Sequence, residues 1–491
     1  MASINSHPPL YTLPTEVLQM VFGFVAGDDH DESDGTNSRL IPSLRELWSI
    51  SATSGWFRAV VERLQYRNVL LSRPNQHRHL LRTLARKPYL VGSVKQLVFF
   101  TNARACHSVP SPPLEKCEHP DRILELCDAA FPGQTGTAWV SEHLRETRDA
   151  VIDLFDLLPR LLQLKRFRYA PFLTTDGVLR LDRSYNSVDP IPGFHHFFVE
   201  ILSSLTPAAV SEIHLFERLE DLHFSGATAH VVNLALSLPK LHTLRLSHIP
   251  SLPTAGAIPL NTSSTIRTLS FVSRYIQELQ IIPAILTAVP QLETLHIETT
   301  QLETYGATNG AIFENIAQAL ATHLHTLKHL TLDIALAPGS PVHFDFRAFT
   351  RLSTLSTRDT FLFDAATPAK SFVDSLPSRL VILDVKVHGS TETSFEMAAS
   401  LARDVQRCRY EHVERFRYLE SVSLDFQTAH PEFTFSAEEE LTVRAELRIT
   451  ETQFLELGVV YEHPRFVIEK DVLSDSVGGS ADGWRVRFLS T

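Results

Sequence analysis

The sequence predicts an α/β solenoid, in which short parallel strands alternate with helices, preceded by a small helical module. Three observations lead to this prediction. An apolar pattern of fixed spacing recurs along most of the chain, helical stretches separate its copies, and prolines follow those stretches. One strand and one helix cannot bury their own apolar faces. Successive units are therefore expected to stack, with their strands joined in a curved parallel sheet.

The recurring pattern is an apolar residue, two residues of any type, an apolar residue, one of any type and a third apolar residue. Its second half alternates as a strand with one buried face does. Of the thirty framework positions, only Thr357 is not apolar. The copies are VKQLVF from Val94, LKRFRY from Leu164, LEDLHF from Leu219, LHTLRL from Leu241, IRTLSF from Ile266, LETLHI from Leu292, LKHLTL from Leu327, LSTLST from Leu352, LVILDV from Leu380 and LESVSL from Leu419.

Helical stretches are predicted between these copies. They are HVVNLALSLP at 230–239, IQELQIIPAILTAVP at 276–290, AIFENIAQALATHL at 311–324 and AKSFVDSLP at 369–377. Pro159, Pro239, Pro290 and Pro377 each stand shortly before the next copy of the pattern. Proline ends a helix because it lacks an N–H and crowds the preceding turn.

The copies resemble irregular leucine-rich repeats. From Leu219 onward they begin 22, 25, 26, 35, 25, 28 and 39 residues apart, and most of these intervals fit the roughly 20 to 29 residues of such a repeat. The asparagine that usually follows the strand is replaced by Ile249, Thr300 or Ala335. The turns are therefore expected to be less uniform, since that side chain normally satisfies backbone groups of the loop.

The residues that flank the second apolar position of each copy should point away from the core. All of them are polar except Val98 and Ile382. Two interpretations stay open: simple solvation of an exposed sheet face, or a concave surface that binds a partner. The candidate binding residues are Arg166, Arg168, Asp221, His223, Thr243, Arg245, Thr294, His296, His329 and Thr331.

The stretch LPTEVLQMVFGFV, residues 13–25, predicts a short amphipathic helix ahead of the repeats. Val17, Leu18, Val21, Phe22 and Val25 recur at helical spacing. An acidic loop at 26–39 and further helical stretches with a break at Gly55 follow. Three short helices carry more apolar side chains than they can hide among themselves, which predicts a docking surface.

Leu-Pro, then Glu and paired apolar residues, then Leu-rich helices ending in Ser-x-x-x-x-Trp resemble an F-box. This module binds the Skp adaptor of cullin-RING ubiquitin ligases. The resemblance covers 13 to about 64 and, with the repeats, is typical of fungal-type F-box proteins that act as substrate receptors. It implies adaptor contacts by Leu13, Pro14, Glu16, Val17, Leu18, Val21, Phe22, Leu47, Ser51 and Trp56.

The loop at 26–39 departs from the resemblance, because it is longer than the turn of a typical F-box. The alternative interpretation is a helical cap on the repeats, since an apolar stripe alone also fits a cap. The predicted organisation is an unstructured start at 1–12, the module at 13–66, the solenoid at 90–429 with an insertion at 101–150, and a strand-rich cap at 430–491.

The net charge of −11 argues against a protein that grips nucleic acid, because such affinity comes from Lys and Arg on phosphates. No apolar run is long enough to cross a membrane, and no secretory signal opens the chain. The expected location is the cytoplasm or the nucleus. Four cysteines cannot form a disulfide framework, which fits a reducing compartment.

Neither a metal site nor an active site is predicted. Cys106, Cys117 and Cys127 lie near His107 and His119, but the gaps do not match zinc ligands and CxxC is absent. The phosphate-binding, dinucleotide-binding, GxSxG and HExxH motifs are also absent from the sequence. We therefore expect a receptor without cofactor or catalytic residues, whose partners are the Skp adaptor, through it a cullin, and a protein target. A repeat scaffold or inhibitor outside any ligase is the alternative.

Overall fold

The computed structural model describes residues 49–50, 52–53, 55–71, 76–99, 161, 163–169, 202, 216–247, 249, 264–273, 276–299, 307–334, 344–362, 375–387, 407, 418–426, 433–435, 452, 460–462, 466–470 and 484–488. The chain divides into two compact units. The first comprises Met1–Pro250 and Ala257–Thr265, and the second comprises Ser251–Gly256 and Ile266–Thr491.

The first unit opens with helical elements and continues as a parallel sheet. Its described elements are α1 (Gly55–Gln65), β1 (Asn68–Leu71), α2 (Gln76–Arg86), a 3-10 helix (Pro88–Ser93), β2 (Gln96–Phe99), β3 (Arg166–Tyr169), β4 (Asp221–Ser225), α3 (Ala229–Ser237) and β5 (Thr243–Ser247). β1 to β5 lie side by side in chain order, and every pairing is parallel.

The second unit repeats the alternation. Its described elements are β6 (Thr268–Ser273), a 3-10 helix (Ile276–Ile281), α4 (Ile282–Ala288), β7 (Thr294–Thr299), α5 (Ala307–Leu320), a 3-10 helix (Ala321–His323), β8 (His329–Asp333), a 3-10 helix (Phe346–Ala348), β9 (Thr354–Arg358), α6 (Asp359–Leu362), β10 (Ile382–Val387) and β11 (Ser421–Phe426). These strands are also paired in parallel and in chain order. The predicted α/β class with parallel strands is thus confirmed.

Four further strands lie in the segment predicted as a C-terminal cap. They are β12 (Phe433–Phe435), β13 (Val460–Glu462), β14 (Phe466–Lys470) and β15 (Trp484–Phe488). β13 extends the parallel sheet beside β11. β15 pairs antiparallel with both β12 and β14. The predicted insertion at 101–150 lies outside the described residues.

The inward row of each unit is apolar and in register. In the first unit Leu97, Phe167, Leu222 and Leu244 occupy equivalent positions on β2 to β5, each nearly or fully buried. Aromatic rings fill the next inward row. Phe99 stacks on Tyr169 at 5.7 Å between ring centroids, and Tyr169 contacts Phe224 at 4.8 Å. In the second unit the same inward row is made of Leu269, Leu295, Leu330, Leu355, Leu383 and Val422.

Capping and proline residues mark where the helices between the strands begin. Thr228 caps α3, because its side chain accepts a hydrogen bond from the Val231 N–H. The stretch predicted as one helix at 276–290 is instead a 3-10 helix followed by α4, with Pro283 in the first turn of α4. Proline is tolerated there because the first N–H groups of a helix have no intrahelical acceptor.

Candidate functional site

The outward face of each sheet consists of the strand residues that alternate with the buried rows. β4 shows the pattern: Leu222 and Phe224 are buried, whereas Asp221 and His223, which alternate with them, are half-buried. The outward rows stay in register from strand to strand because each pairing is parallel and unbroken. Side chains distant in sequence therefore stand beside one another on this face.

The arginine patch of the first unit, which we define as Arg166, Arg168, Asp221, His223 and Arg245, occupies β3 to β5. Arg166 lies beside Asp221, and Arg168 lies beside His223, which in turn lies beside Arg245. Thr243 follows Asp221 in the next strand of the same row. The structure thus brings together the first six residues predicted for the binding face.

Asp221 is the acidic centre of the arginine patch. Its Oδ2 lies 3.9 Å from a terminal nitrogen of Arg245, which is at the outer limit of an ion pair. Burial raises the pKa of Asp221 above its usual value, although Arg245, Arg166 and Arg168 all act to lower it. The three arginines therefore offset only part of the cost of burying the negative charge of Asp221.

The outward face does not present polar side chains on every strand. Val98 on β2 holds an outward position in register with Arg168 and is nevertheless fully buried. Its neighbours in the same row, Leu70 and Arg168, are half-buried. In this row the polar residues of the first unit therefore begin at β3, whereas the other outward row is already polar at Asn68 and Gln96. In the second unit Ile382 is 41% exposed and is the apolar member of an otherwise polar row.

The outward rows of the second unit carry hydroxyl and imidazole groups. Thr294 lies beside His329, and His296 beside Thr331. His329 Nδ1 lies 3.0 Å from Thr354 Oγ1, and His296 Nε2 lies 3.3 Å from Glu298 Oε2. The four predicted residues of this unit are therefore brought together in two adjacent rows.

Asp333, Arg358 and Lys386 form a charge cluster near the carboxyl ends of β8, β9 and β10, in which Asp333 and Arg358 are buried and Lys386 is half-buried. Arg358 Nε donates a 2.5 Å hydrogen bond to Asp333 Oδ1, and Lys386 donates to Oδ2 of the same carboxylate. Sequence reasoning missed this cluster. One signal was present: a charged residue stands at the same position of three successive strands, with the acid followed by two bases.

A row of exposed and half-buried charges lies one residue before the strands. Lys165 pairs with Glu220 at 2.7 Å in the first unit, and Lys328 pairs with Glu293 at 2.7 Å in the second. Arg267 approaches the other oxygen of Glu293 at 3.6 Å. Exposed pairs of this kind contribute little to stability, so the row mainly sets the charge pattern beside the sheet face.

The residues predicted to contact the Skp adaptor are mostly outside the described part of the chain. Leu13, Pro14, Glu16, Val17, Leu18, Val21, Phe22, Leu47 and Ser51 all lie there. The docking surface predicted for this module therefore stays a prediction. Trp56 lies in the first turn of α1.

Contacts fix α1 to the start of the sheet. Lys87 and Tyr89, at the 3-10 helix after α2, both donate hydrogen bonds to the Glu62 carboxylate. Arg63 lies over the Tyr89 ring, 5.9 Å from its centroid. The end of the predicted helical module is thus held against the segment between α2 and β2.

Within the described ranges, no cluster of three or more His, Cys, Asp or Glu residues is arranged to hold a metal ion. The helices of those ranges include none with the length and apolarity needed to cross a lipid bilayer. The zinc candidates Cys106, Cys117, Cys127, His107 and His119 lie outside them. No protein-family model matches the chain, and no curated protein matches it significantly.

Proposed function

We propose that this protein is a substrate receptor of a ubiquitin ligase of the Skp, cullin and F-box type. In this proposal the helical module at 13–66 docks to the Skp adaptor. The outward face of the repeats, acting as the concave side of a leucine-rich-repeat solenoid, holds a protein target. The chain contributes no catalytic residue of its own.

The observation that carries the proposal is a combination within one chain. An F-box-like pattern, from Leu13-Pro14 to Trp56, precedes parallel sheets whose outward rows are polar and in register. Repeat proteins commonly bind partners on such sheet faces. The hydrogen bonds of Lys87 and Tyr89 to Glu62 also suit a receptor, because they join α1, at the end of the helical module, to the segment that leads into β2.

The mechanism would be one of proximity. A target bound to the repeats would be held near the catalytic machinery recruited by the adaptor and the cullin. This raises the local concentration of target lysines without any chemistry by the receptor. A repeat scaffold or inhibitor outside any ligase stays the second candidate, favoured by the polar sheet faces alone.

The proposal is tested by mixing the purified full chain with a purified Skp adaptor and measuring complex formation by size-exclusion chromatography. The variant Leu13→Ala/Pro14→Ala should lose the complex, because it removes the first residues of the F-box-like pattern. The matched control is Pro9→Ala/Leu10→Ala, which alters the same two residue types just outside the pattern.

Complex formation by wild type and by the control, and its loss in Leu13→Ala/Pro14→Ala, would support the ligase role. Failure of the wild type to bind any Skp adaptor would overturn it and leave the scaffold. Binding that survives in Leu13→Ala/Pro14→Ala would show that the adaptor contacts were assigned to the wrong residues.

A further inference from the structure

We propose that the arginine patch of the first unit binds an acidic, extended segment of the target protein. This inference rests on the proposed function, because it names the kind of segment that the receptor holds.

The arginine patch carries a net positive charge. The arginine patch sets three arginines against one aspartate, a net charge of +2 on neighbouring strands of a chain whose total charge is −11. Arg166 is exposed, and Arg168 and Arg245 are half-buried. A partly desolvated arginine interacts more strongly with a carboxylate than one in bulk water, because the effective dielectric constant is lower there.

The spacing of the arginines matches the side-chain repeat of an extended peptide. Arg166 and Arg168 lie two residues apart on β3, about 6.6 Å along the strand, and Arg245 lies two strands away, about 10 Å across the sheet. Alternate side chains of an extended peptide repeat at about 6.8 Å. Acidic residues at alternate positions of such a peptide can therefore meet Arg166 and Arg168 together, with the planar guanidinium groups suited to carboxylates.

Asp221 occupies the place that an acidic side chain of the target would take. It lies beside Arg166 in register and 3.9 Å from Arg245, so it already offers a carboxylate to the cations that the target would use. Its compensation is incomplete, since 3.9 Å is long for an ion pair. An acidic target would therefore compete with Asp221, and removal of that charge should strengthen binding rather than weaken it.

Nucleic acid is the other polyanion to consider. The charge of the whole chain opposes it, because phosphate backbones are gripped by extended sets of Lys and Arg. The arginine patch spans only β3 to β5, which suits a short acidic segment. A protein segment is therefore the occupant to which the inference commits.

The test uses the full chain and a fluorescein-labelled peptide of alternating Glu and Ser, with anisotropy as the readout at low and raised ionic strength. A peptide of alternating Gln and Ser and a single-stranded oligothymidine of equal charge serve as comparison ligands. We expect the acidic peptide to bind, the Gln peptide not to bind, and the affinity to fall as salt rises.

Two variants with opposite expected effects make the result decisive. Arg166→Gln/Arg168→Gln should weaken binding roughly tenfold, the size expected from losing one exposed and one half-buried charged contact. Asp221→Asn should strengthen it by roughly threefold, because a competing charge is lost. Arg82→Gln/Arg86→Gln, which removes two exposed charges on α2, is the matched control and should leave affinity unchanged.

The inference would be overturned if Arg82→Gln/Arg86→Gln weakened peptide binding as much as Arg166→Gln/Arg168→Gln. Weaker peptide binding by Asp221→Asn, with an unchanged melting temperature, would also overturn it. Binding of oligothymidine as tight as that of the acidic peptide, with the same dependence on Arg166 and Arg168, would replace it with nucleic-acid binding. The adaptor variant Leu13→Ala/Pro14→Ala should bind the peptide normally. Failure of the patch and failure of the ligase role are thus read by separate experiments.

Discussion

Asp333 and Arg358 form a buried ion pair between neighbouring strands, with Asp333 Oδ1 accepting a 2.5 Å hydrogen bond from Arg358 Nε. Both side chains are only 7% exposed. Lys386 on β10 donates to the other oxygen, so one carboxylate serves cations from two strands. Such a cluster does not itself guarantee stability, because removing charges from water is costly, but breaking it leaves uncompensated buried cations.

Asp333→Asn is therefore expected to lower the free energy of unfolding by about 3 to 5 kcal/mol, since Arg358 and Lys386 would lose their shared anion. Urea denaturation followed by far-UV circular dichroism measures the change. The matched control is Glu293→Gln, which breaks a half-exposed pair with Lys328 and should cost no more than about 1 kcal/mol. Equal losses in the two variants would contradict this assignment.

The same cluster predicts acid sensitivity. Burial alone would raise the pKa of Asp333, but Arg358 and Lys386 outweigh it and hold that pKa below its usual value. The carboxyl group of Asp333 therefore binds a proton more readily in the unfolded chain than in the folded one. The stability contributed by Asp333 is present above the unfolded pKa and is lost as pH falls through the folded pKa. Asp333→Asn should flatten the acid limb of a plot of denaturation midpoint against pH, and an unchanged limb would contradict the prediction.

His323 gives a second pH dependence, at higher pH. Burial lowers the pKa of His323, opposed by its hydrogen bond to the Leu286 carbonyl. The Nε2 to oxygen distance is 3.0 Å, so the neutral ring donates through Nε2. Protonation would leave a buried charge, and the unfolded chain takes up that proton first. Stability is therefore full above the unfolded pKa of about 6.5 and falls as pH drops below it.

His323→Gln should make the midpoint of denaturation less dependent on pH between about pH 7 and pH 5, while lowering stability at neutral pH through imperfect packing. His325→Gln, which changes an exposed histidine close by, is the control and should keep the wild-type slope. If both variants keep that slope, His323 is not the group responsible.

Most of the fold follows from the sequence because it depends on local alternation. Leu222 and Phe224 are buried and Asp221 and His223 are half-buried, as a period of two requires. Every copy of the apolar pattern contains a strand, including LSTLST, where Thr357 takes an inward, buried position. Parallel pairing in chain order then sets the register and places Arg166 beside Asp221.

Other features were not predictable, because they depend on what each sheet face meets in three dimensions. Val98 satisfies the outward period and is nevertheless buried. The cluster of Asp333, Arg358 and Lys386 depends on charges 25 and 53 residues apart. Periodicity locates a side chain on a face, but it does not reveal whether that face is covered.

The alternation on β3 can be checked by comparing adjacent residues. Phe167 is 1% exposed and stacks on Phe216 at 5.5 Å, whereas Arg166 is exposed. Phe167→Ala should cost about 3 to 5 kcal/mol of unfolding free energy, and Arg166→Ala about 0.5 kcal/mol or less. Urea denaturation distinguishes them. A reversed order would mean that the arginine patch faces the core, which would also remove the basis for acidic-segment binding.

The hydrogen bonds to Glu62 predict how α1 is held. Its carboxylate accepts from Lys87 and from the Tyr89 hydroxyl, the latter at 2.5 Å. Burial acts to raise the pKa of Glu62, but these donors outweigh it and lower the pKa, so the carboxylate is charged at neutral pH.

Glu62→Gln should loosen α1, because the amide accepts more weakly and no longer pairs with Lys87. Amide hydrogen exchange of Gly55–Gln65 should accelerate by roughly fivefold, the size expected from about 1 kcal/mol. Lys87→Met should have a similar effect, while Glu314→Gln, at an exposed position of α5, should leave exchange in α1 unchanged. Normal exchange in both Glu62→Gln and Lys87→Met would show that other contacts hold this helix.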